Sequence, residues 1–403
     1  MKANTQKDRV LRPGQVRGAN SSVVLEMLRQ NESLSRAELA RITGLSEGTV
    51  SRIVAELIGR KFVMEDGIEN STGGRPSTRL RLEQNRYAVG VDIRTWETRF
   101  AVGTMRGTTM ETASMRTPSD PKATISMIAE QYAGYRNQFG KDRLEGLGIS
   151  VRGIVDSRTG IVELGSDPKW VKIPVKQQLE AELKVPVYVE NNVRAAALAE
   201  YTYGDSGTHN SRCLLFVAVE EGIGIGIVLD GKLYNGPRMA GGEFGQMVIK
   251  DSEGPERYDR PGCLEKLASN IALCGRYTAL TKGKSSPPSG SVTSLVRLIC
   301  HRAMEGDEAA KKALKITMRY LGIGIANVVW GLDADMVIVS GSINLAWPLV
   351  AQEILDQFPE SVQTVTRSTL VLRPSASGDE ATLLGAATLA FNNMFAAERR
   401  VRR

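Results

Sequence analysis

The chain has 403 residues, 42 % hydrophobic and 24 % charged, which is too long for a single core and predicts two or three domains of ordinary globular composition. No run of 18 or more apolar residues occurs, and the opening MKANTQKDRVLRPGQ lacks the apolar segment of a signal peptide, so no membrane partner and a cytoplasmic location are expected. The formal net charge is +7, and residues 1–82 carry 14 Lys and Arg against 9 Asp and Glu, which points to a polyanionic partner for that part of the chain.

The first elements read as helices. From Asn20, SSVVLEMLRQN sets Val23, Val24, Met27 and Leu28 at helical spacing, with Asn20 or Ser21 as the cap. Ser35 followed by Glu38 is a capping box for a second helix, with Ala37, Leu39, Ala40 and Ile42 as its apolar face. Gly44 and Leu45 make a short turn, and Ser46 caps a third helix whose Val50, Ile53, Val54 and Leu57 face inward. Two short helices about a Gly-containing turn form a helix-turn-helix. Its exposed start would carry Ser46, Glu47, Thr49, Ser51 and Arg52 to a major groove of double-stranded DNA, with Arg52 suited to guanine. Phe62 to Met64 and Leu80 to Leu82 read as the strands of a wing. At its edge, Gly73-Gly74-Arg75-Pro76 offers Arg75 to a minor groove. A helical bundle for protein contacts, with Arg75 a solvated linker charge, is the alternative.

Beyond residue 82 strands and helices alternate, which predicts an α/β domain. Tyr87 to Ile93, Arg99 to Thr104, Leu147 to Val151 and Val185 to Val189 read as strands of one half. Cys213 opens a second half, Met336 to Val339 is its last strand, and Gly385 to Asn392 begins a closing helix. Two such halves suggest a duplicated fold with a ligand cleft between them. Gly222, Gly224 and Gly226 either cradle phosphate or permit a tight hairpin, and the hairpin is favoured. In Ala240 to Glu265, Glu243 and Glu265 are each fenced by small residues. Carboxylates so placed suit a hydroxyl-rich ligand such as a carbohydrate, or are solvated loop charges. Cys213, Cys263, Cys274 and Cys300 lack paired spacing, so reduced thiols are expected.

The motifs VGVDI, GIVDSRTGIV, VENNVRAAALAEYTYG, GIGIGIVLDGKLYNGPRMAGGEFGQM, GCLEKLAS, VSGSI and LLGAA occur in this order. In them the chain resembles the ROK family (repressors, open reading frames and kinases) over nearly its whole length. The resemblance implies an N-terminal winged helix-turn-helix, residues 1–82 with linker, followed by an α/β two-lobed actin-like or hexokinase-like (ribonuclease H-like) ROK domain, residues 83–403. One lobe would take about 83–200 plus the C-terminal helix, the other about 201–385. It further implies sugar contacts at Asn191, Glu243 and Glu265, with Asn192 able to bond a hydroxyl. Gln246 replaces a histidine that in relatives touches metal and sugar.

Departures from the family pattern argue against kinase chemistry. The catalytic aspartate of ROK kinases corresponds to Asn192, and a carboxamide cannot act as a general base near neutral pH. The phosphate loop Asp-Ile-Gly-Gly-Thr is here Asp92-Ile93-Arg94-Thr95-Trp96, with bulky side chains where backbone must approach phosphate. The positions of the family's zinc ligands resemble Gln246, Glu256, Tyr258 and Cys263, of which only Cys263 offers a thiolate, so neither metal nor cofactor is expected. The loop Gly165 to Trp170 resembles the one that closes over the sugar; Trp170 is either a stacking face or a packing anchor. The expected function is a sugar-responsive transcriptional regulator, most simply a repressor acting as a homodimer or tetramer. An ATP-dependent sugar kinase with an appended DNA-binding module is the rival.

Overall fold

The computed structural model describes residues 13–69, 77–205, 207–251, 262–282, 291–358 and 370–397. The chain opens with helix α1 (Pro13–Gln30), strand β1 (Leu34–Ser35), α2 (Arg36–Thr43) and α3 (Glu47–Gly59), then β2 (Val63–Glu69) and β3 (Ser77–Leu82). Ser35 and Glu38 form the reciprocal capping box, Gly44 ends α2 at φ 69°, and the Ser46 hydroxyl accepts from the Thr49 N–H to start α3. The helix-turn-helix and its wing, a sheet of order β1-β3-β2, follow from these local signals.

Two local expectations shift. Helix α1 begins at Pro13, whose fixed φ suits a first turn, so Asn20 and Ser21 lie inside it and cap nothing. Its inward face is Val24, Leu25 and Leu28 while Val23 is exposed; in α2, Leu39 and Ala40 are buried while Ile42 is exposed. Periodicity found these helices, but the partner elements choose the buried phase.

The first lobe comprises β4 (Tyr87–Ile93), β5 (Glu97–Thr104), β6 (Thr109–Arg116), α4 (Pro121–Phe139), β7 (Leu144–Val151), β8 (Gly153–Asp156), β9 (Ile161–Gly165), β10 (Val171–Ile173), α5 (Val175–Leu183), β11 (Val187–Asn191) and α6 (Asn192–Tyr203). Its main sheet has the order β11-β7-β4-β5-β6. All seven residues of β4 are buried, as a strand covered on both faces requires. The second lobe comprises β12 (Cys213–Val219), β13 (Ile223–Leu229), β14 (Lys232–Leu233), α7 (Leu264–Ala268), α8 (Asn270–Leu280), α9 (Val292–Met304), α10 (Glu308–Leu332), β15 (Met336–Ser340), α11 (Trp347–Leu355) and β16 (Val371–Pro374). Its sheet has the order β14-β13-β12-β15-β16. In both lobes a central strand, β4 or β12, pairs antiparallel with its hairpin partner on one side and parallel with a later strand on the other. That repeat is the duplicated hexokinase-like architecture expected from the motifs.

The closing helix α12 (Ala381–Ala397) returns to the first lobe. A Cβ at Gly148 would lie 1.7 Å from the Ala386 carbonyl oxygen, and one at Gly385 would lie 1.9 Å from that of Ala195. Glycine at these two positions lets α12 seat directly on β7 and α6. Its far end enters the core of the winged helix, where Phe391 and Ala390 share one apolar cluster with Val24, Leu25, Leu28, Ala88 and Met105. Among the described residues no helix is long and apolar enough to cross a membrane.

Candidate functional site

The cleft is built at the junction of β11 and α6. Asn191 keeps an extended backbone, and its Oδ1 accepts from the N–H groups of Val193 and Arg194 at 2.9 and 3.1 Å, capping α6. Its Nδ2 donates to the Gly153 carbonyl at 2.8 Å, which leaves one amide hydrogen for a ligand. Asn192 is the first helical residue. From the second lobe, the Glu265 Oε2 accepts from the Ile223 N–H at 3.1 Å. A Cβ at Gly222 would stand 2.6 Å from that oxygen, so glycine at 222 is what admits the carboxylate. Glu243 follows Gly242, which adopts φ 95° and packs so closely that a Cβ would fall 1.9 Å from the Ile225 carbonyl oxygen. Asn191, Asn192, Glu243 and Glu265 thus line one cavity of about 200 Å3 between the lobes, with Arg152 and Glu220 at its edge. Gln246, exposed at the end of the 3₁₀ turn Phe244–Gln246, does not line it.

Burial against the cleft walls raises the Glu243 carboxyl above its ordinary value although the residue keeps contact with solvent; Arg194 opposes the rise and neighbouring Glu265 adds to it. Two carboxylates coupled in a partly dry cleft are strong acceptors for hydroxyls.

Sequence reasoning missed the residue that holds this arrangement. Arg194 is buried; its Nε donates to the Glu190 Oε1 at 2.7 Å, Nη1 to the Met239 carbonyl at 2.8 Å and Nη2 to the Val155 carbonyl at 3.1 Å. It thereby ties the loop that carries Glu243 to the first lobe. The available signal was an arginine four residues after a glutamate across a strand-to-helix junction. Arg152 was missed as well: it bridges the lobes by ion pairs to Glu220 and Glu221.

The glycines of β13 serve packing. A Cβ at Gly224 would meet the Val193 side chain at 2.7 Å, and one at Gly226 the Ala197 Cβ at 2.5 Å, so these residues let α6 lie against the strand. β12 and β13 do pair as an antiparallel hairpin, as the favoured reading expected. In the altered phosphate loop the acidic residue is already bonded. Asp92 accepts from Arg94 Nε at 2.6 Å, Thr382 Oγ1 at 2.9 Å and Ser150 Oγ at 2.7 Å, so its carboxylate is committed to protein donors. The space between Arg94, Asn192, Ser340 and Gly341 is about 20 Å3, and a cavity of about 470 Å3 opens on the other side of the loop, lined by Arg94, Thr95, Trp96 and Arg152. Trp170 is 6 % exposed within the first-lobe core, a packing anchor, whereas Trp96 of the altered phosphate loop is 78 % exposed. All four cysteines are free and buried, and burial pushes Cys213 and Cys274 to about 11 and Cys300 to about 12, making them unreactive. Of the zinc-related positions, Glu256 and Tyr258 lie outside the described residues, and among the described residues no group of three or more His, Cys, Asp or Glu could hold a metal.

On the other module, Glu47, Ser51 and Arg52 are exposed along the start of α3. Ser46 and Thr49 hydroxyls bond each other at 2.8 Å as part of the cap. Arg52 Nε donates to the Gly48 carbonyl at 3.2 Å within the first turns of the helix. Arg75 lies outside the described residues.

Residues 23–60 match the winged helix-turn-helix DNA-binding family, and residues 88–393 match the ROK family. The chain belongs to the ROK family. Within it, the chain is similar to the xylose repressor of Caldicellulosiruptor bescii, 26 % identical over 385 residues that cover 93 % of this chain and 96 % of the relative. It is also 26 % identical over 337 residues to the DNA-binding transcriptional dual regulator NagC of Escherichia coli, covering 82 % of each chain. The crystal structure of a ROK family transcriptional regulator, a homolog of the E. coli MLC protein, superposes with a TM-score of 0.78 at 24 % identity, covering 95 % of this chain and 98 % of that one. These matches span both modules, so this ROK protein has the architecture of the family's regulators rather than of its kinases.

Proposed function

We propose that this ROK protein is a sugar-responsive transcriptional repressor: operator DNA is bound through residues 1–82, and a carbohydrate is bound in the cleft of residues 83–403. The observation that carries the reading is the pairing of Glu243 and Glu265 in a cleft where Asn192 stands at the general-base position and the Asp92 carboxylate of the altered phosphate loop is taken up by Arg94, Ser150 and Thr382. Binding is retained where transfer is not. Relatives at the same level of identity are named for different sugars, xylose in one case and N-acetylglucosamine in another, so the sugar is left to experiment.

In this reading Glu243 and Glu265 accept sugar hydroxyls, the spare Asn191 amide hydrogen donates to one, and Asn192 offers a further contact. Gln246, exposed outside the cavity, makes no direct contact with the sugar in this reading. A Glu265→Gln variant keeps an acceptor for the Ile223 N–H but loses the charge; sugar affinity is expected to fall by about 1.5–3 kcal/mol with the fold intact. Isothermal calorimetry checks this, and an unchanged affinity removes Glu265 from the ligand set.

On the DNA side the chain acts as a homodimer or a pair of dimers in the cytoplasm, its two α3 helices reading half-sites about 34–36 Å apart. Ser51 and Arg52 reach base edges, Glu47 screens against phosphate, Ser46 and Thr49 position the helix start, and Arg75 enters the minor groove. Ligand binding regulates by its differential affinity for two lobe arrangements. Asn191 caps α6, α6 packs on α12, and α12 carries Phe391 into the winged-helix core, so lobe closure alters the spacing of the recognition helices. Fluorescence anisotropy of a labelled fragment from upstream of the gene, at fixed salt with and without a sugar pool, tests the whole reading. Arg52→Ala is expected to cost about 1–3 kcal/mol and to relax preference at one base pair; equal loss on every sequence would make Arg52 a phosphate contact instead.

A further inference from the structure

A second cavity, about 940 Å3, lies across β11 from the cleft. Consecutive strand residues face opposite ways, and here Glu190 lines the large cavity while Asn191 lines the cleft. Its floor is apolar: Leu198 and Leu389 are buried, with Leu233 and Tyr188 packed against them. Its rim is cationic. Lys176 sits 5.7 Å from the Tyr188 ring centroid and pairs with Glu180 at 3.9 Å, Arg158 pairs with Asp156, and Lys184 and Lys232 are exposed with no ion-pair partner among the described residues. Glu190, the other carboxylate, is neutralised by Arg194. On the same wall the Asn235 Oδ1 is buried without a hydrogen-bond partner, while its Nδ2 donates to Ser157 and Glu190.

We propose that this cavity binds a small organic anion with an apolar body, at a site separate from the sugar cleft. Its volume falls in the roughly 300–1,000 Å3 range of ligand pockets, and it stands at a junction of lobes where such pockets concentrate. The apolar body covers the leucine floor, the anionic group meets Lys184 and Lys232, and a polar hydrogen of the ligand answers Asn235. The site reaches both regulatory parts of the molecule: Glu190 adjoins the cleft residue Asn191, and Asn392 at its edge accepts from Arg29 of α1 at 3.1 Å. The proposal stands whether or not the cleft takes a sugar.

Anilinonaphthalene sulfonate, which combines an apolar aromatic body with one negative charge, is the probe. Titrated into the full chain, it is expected to show saturable one-site fluorescence enhancement. Lys184→Glu combined with Lys232→Glu, both on the surface, is expected to weaken binding by about tenfold or more through charge repulsion. Leu233→Trp, which fills the floor, is expected to abolish it, and Glu265→Gln in the sugar cleft to leave it unchanged. The proposal is overturned by non-saturable enhancement, by titrations that the charge-reversed and filled variants leave unaltered, or by loss of binding that tracks a change of oligomeric state in sedimentation. The last result would make the cavity an interface between copies.

Discussion

An Arg194→Ala variant is expected to lose about 3–5 kcal/mol of stability, because removing one partner strands a buried charge. Arg194 and Glu190 have side chains only 3 % exposed, and without the guanidinium the Glu190 carboxylate keeps only N–H donors from Asn191 and Asn235. The Met239 and Val155 carbonyls each lose a charged donor in the same step. Chemical denaturation measures the loss, and a change under 1 kcal/mol would show that the pair is not the tie described here. Function is expected to fail alongside, since Met239 anchors the loop that presents Glu243. Replacing both members by leucine and methionine separates the effects: stability should largely return, because an apolar pair of similar volume avoids the desolvation penalty, while sugar affinity should not.

The second large effect is expected at Phe391. This side chain is fully buried among winged-helix residues although it belongs to the last helix, and Phe→Ala in such a place costs about 3–5 kcal/mol. The neighbouring polar fence keeps the module attached. Arg29 donates to the Met105 carbonyl and to Asn392, Arg106 to the Asn31 and Glu32 carbonyls, and Arg86 to the Arg60 and Lys61 carbonyls. Phe391→Ala is therefore expected to leave sugar affinity and the helix-turn-helix intact but to abolish the effect of sugar on DNA affinity. Anisotropy with and without ligand reads that coupling directly. A variant that keeps full coupling would place the transmission elsewhere than α12.

The helix-turn-helix was legible because its determinants are short-range. The Ser35–Glu38 capping box, the left-handed Gly44 and the Ser46 cap each act within four residues, so the chain itself carries the instruction. The candidate cleft was legible for a different reason: ordered motifs put Asn191, Glu243 and Glu265 in a family pattern, and the structure gathers the three around one cavity. Asn192 and Arg94, the departures from the family pattern on which the proposed loss of transfer rests, were also visible, since both are changes of residue type.

Packing decided the rest. Gly222, Gly224 and Gly226 read as a turn or a phosphate cradle, yet their neighbours are Glu265, Val193 and Ala197, which no local pattern names. Trp170 went to the core and Trp96 to the surface according to what lies over each loop. Arg194 became the tie of the cleft, and Phe391 the anchor of a module more than 300 residues earlier in the chain, because the sheets bring those segments together. Hydrogen bonds within a turn and hydrophobic periodicity are properties of neighbouring residues and are written in order along the chain. Burial, desolvation and close backbone approach depend on atoms that only the folded layers assemble, and they set which side chains do the work.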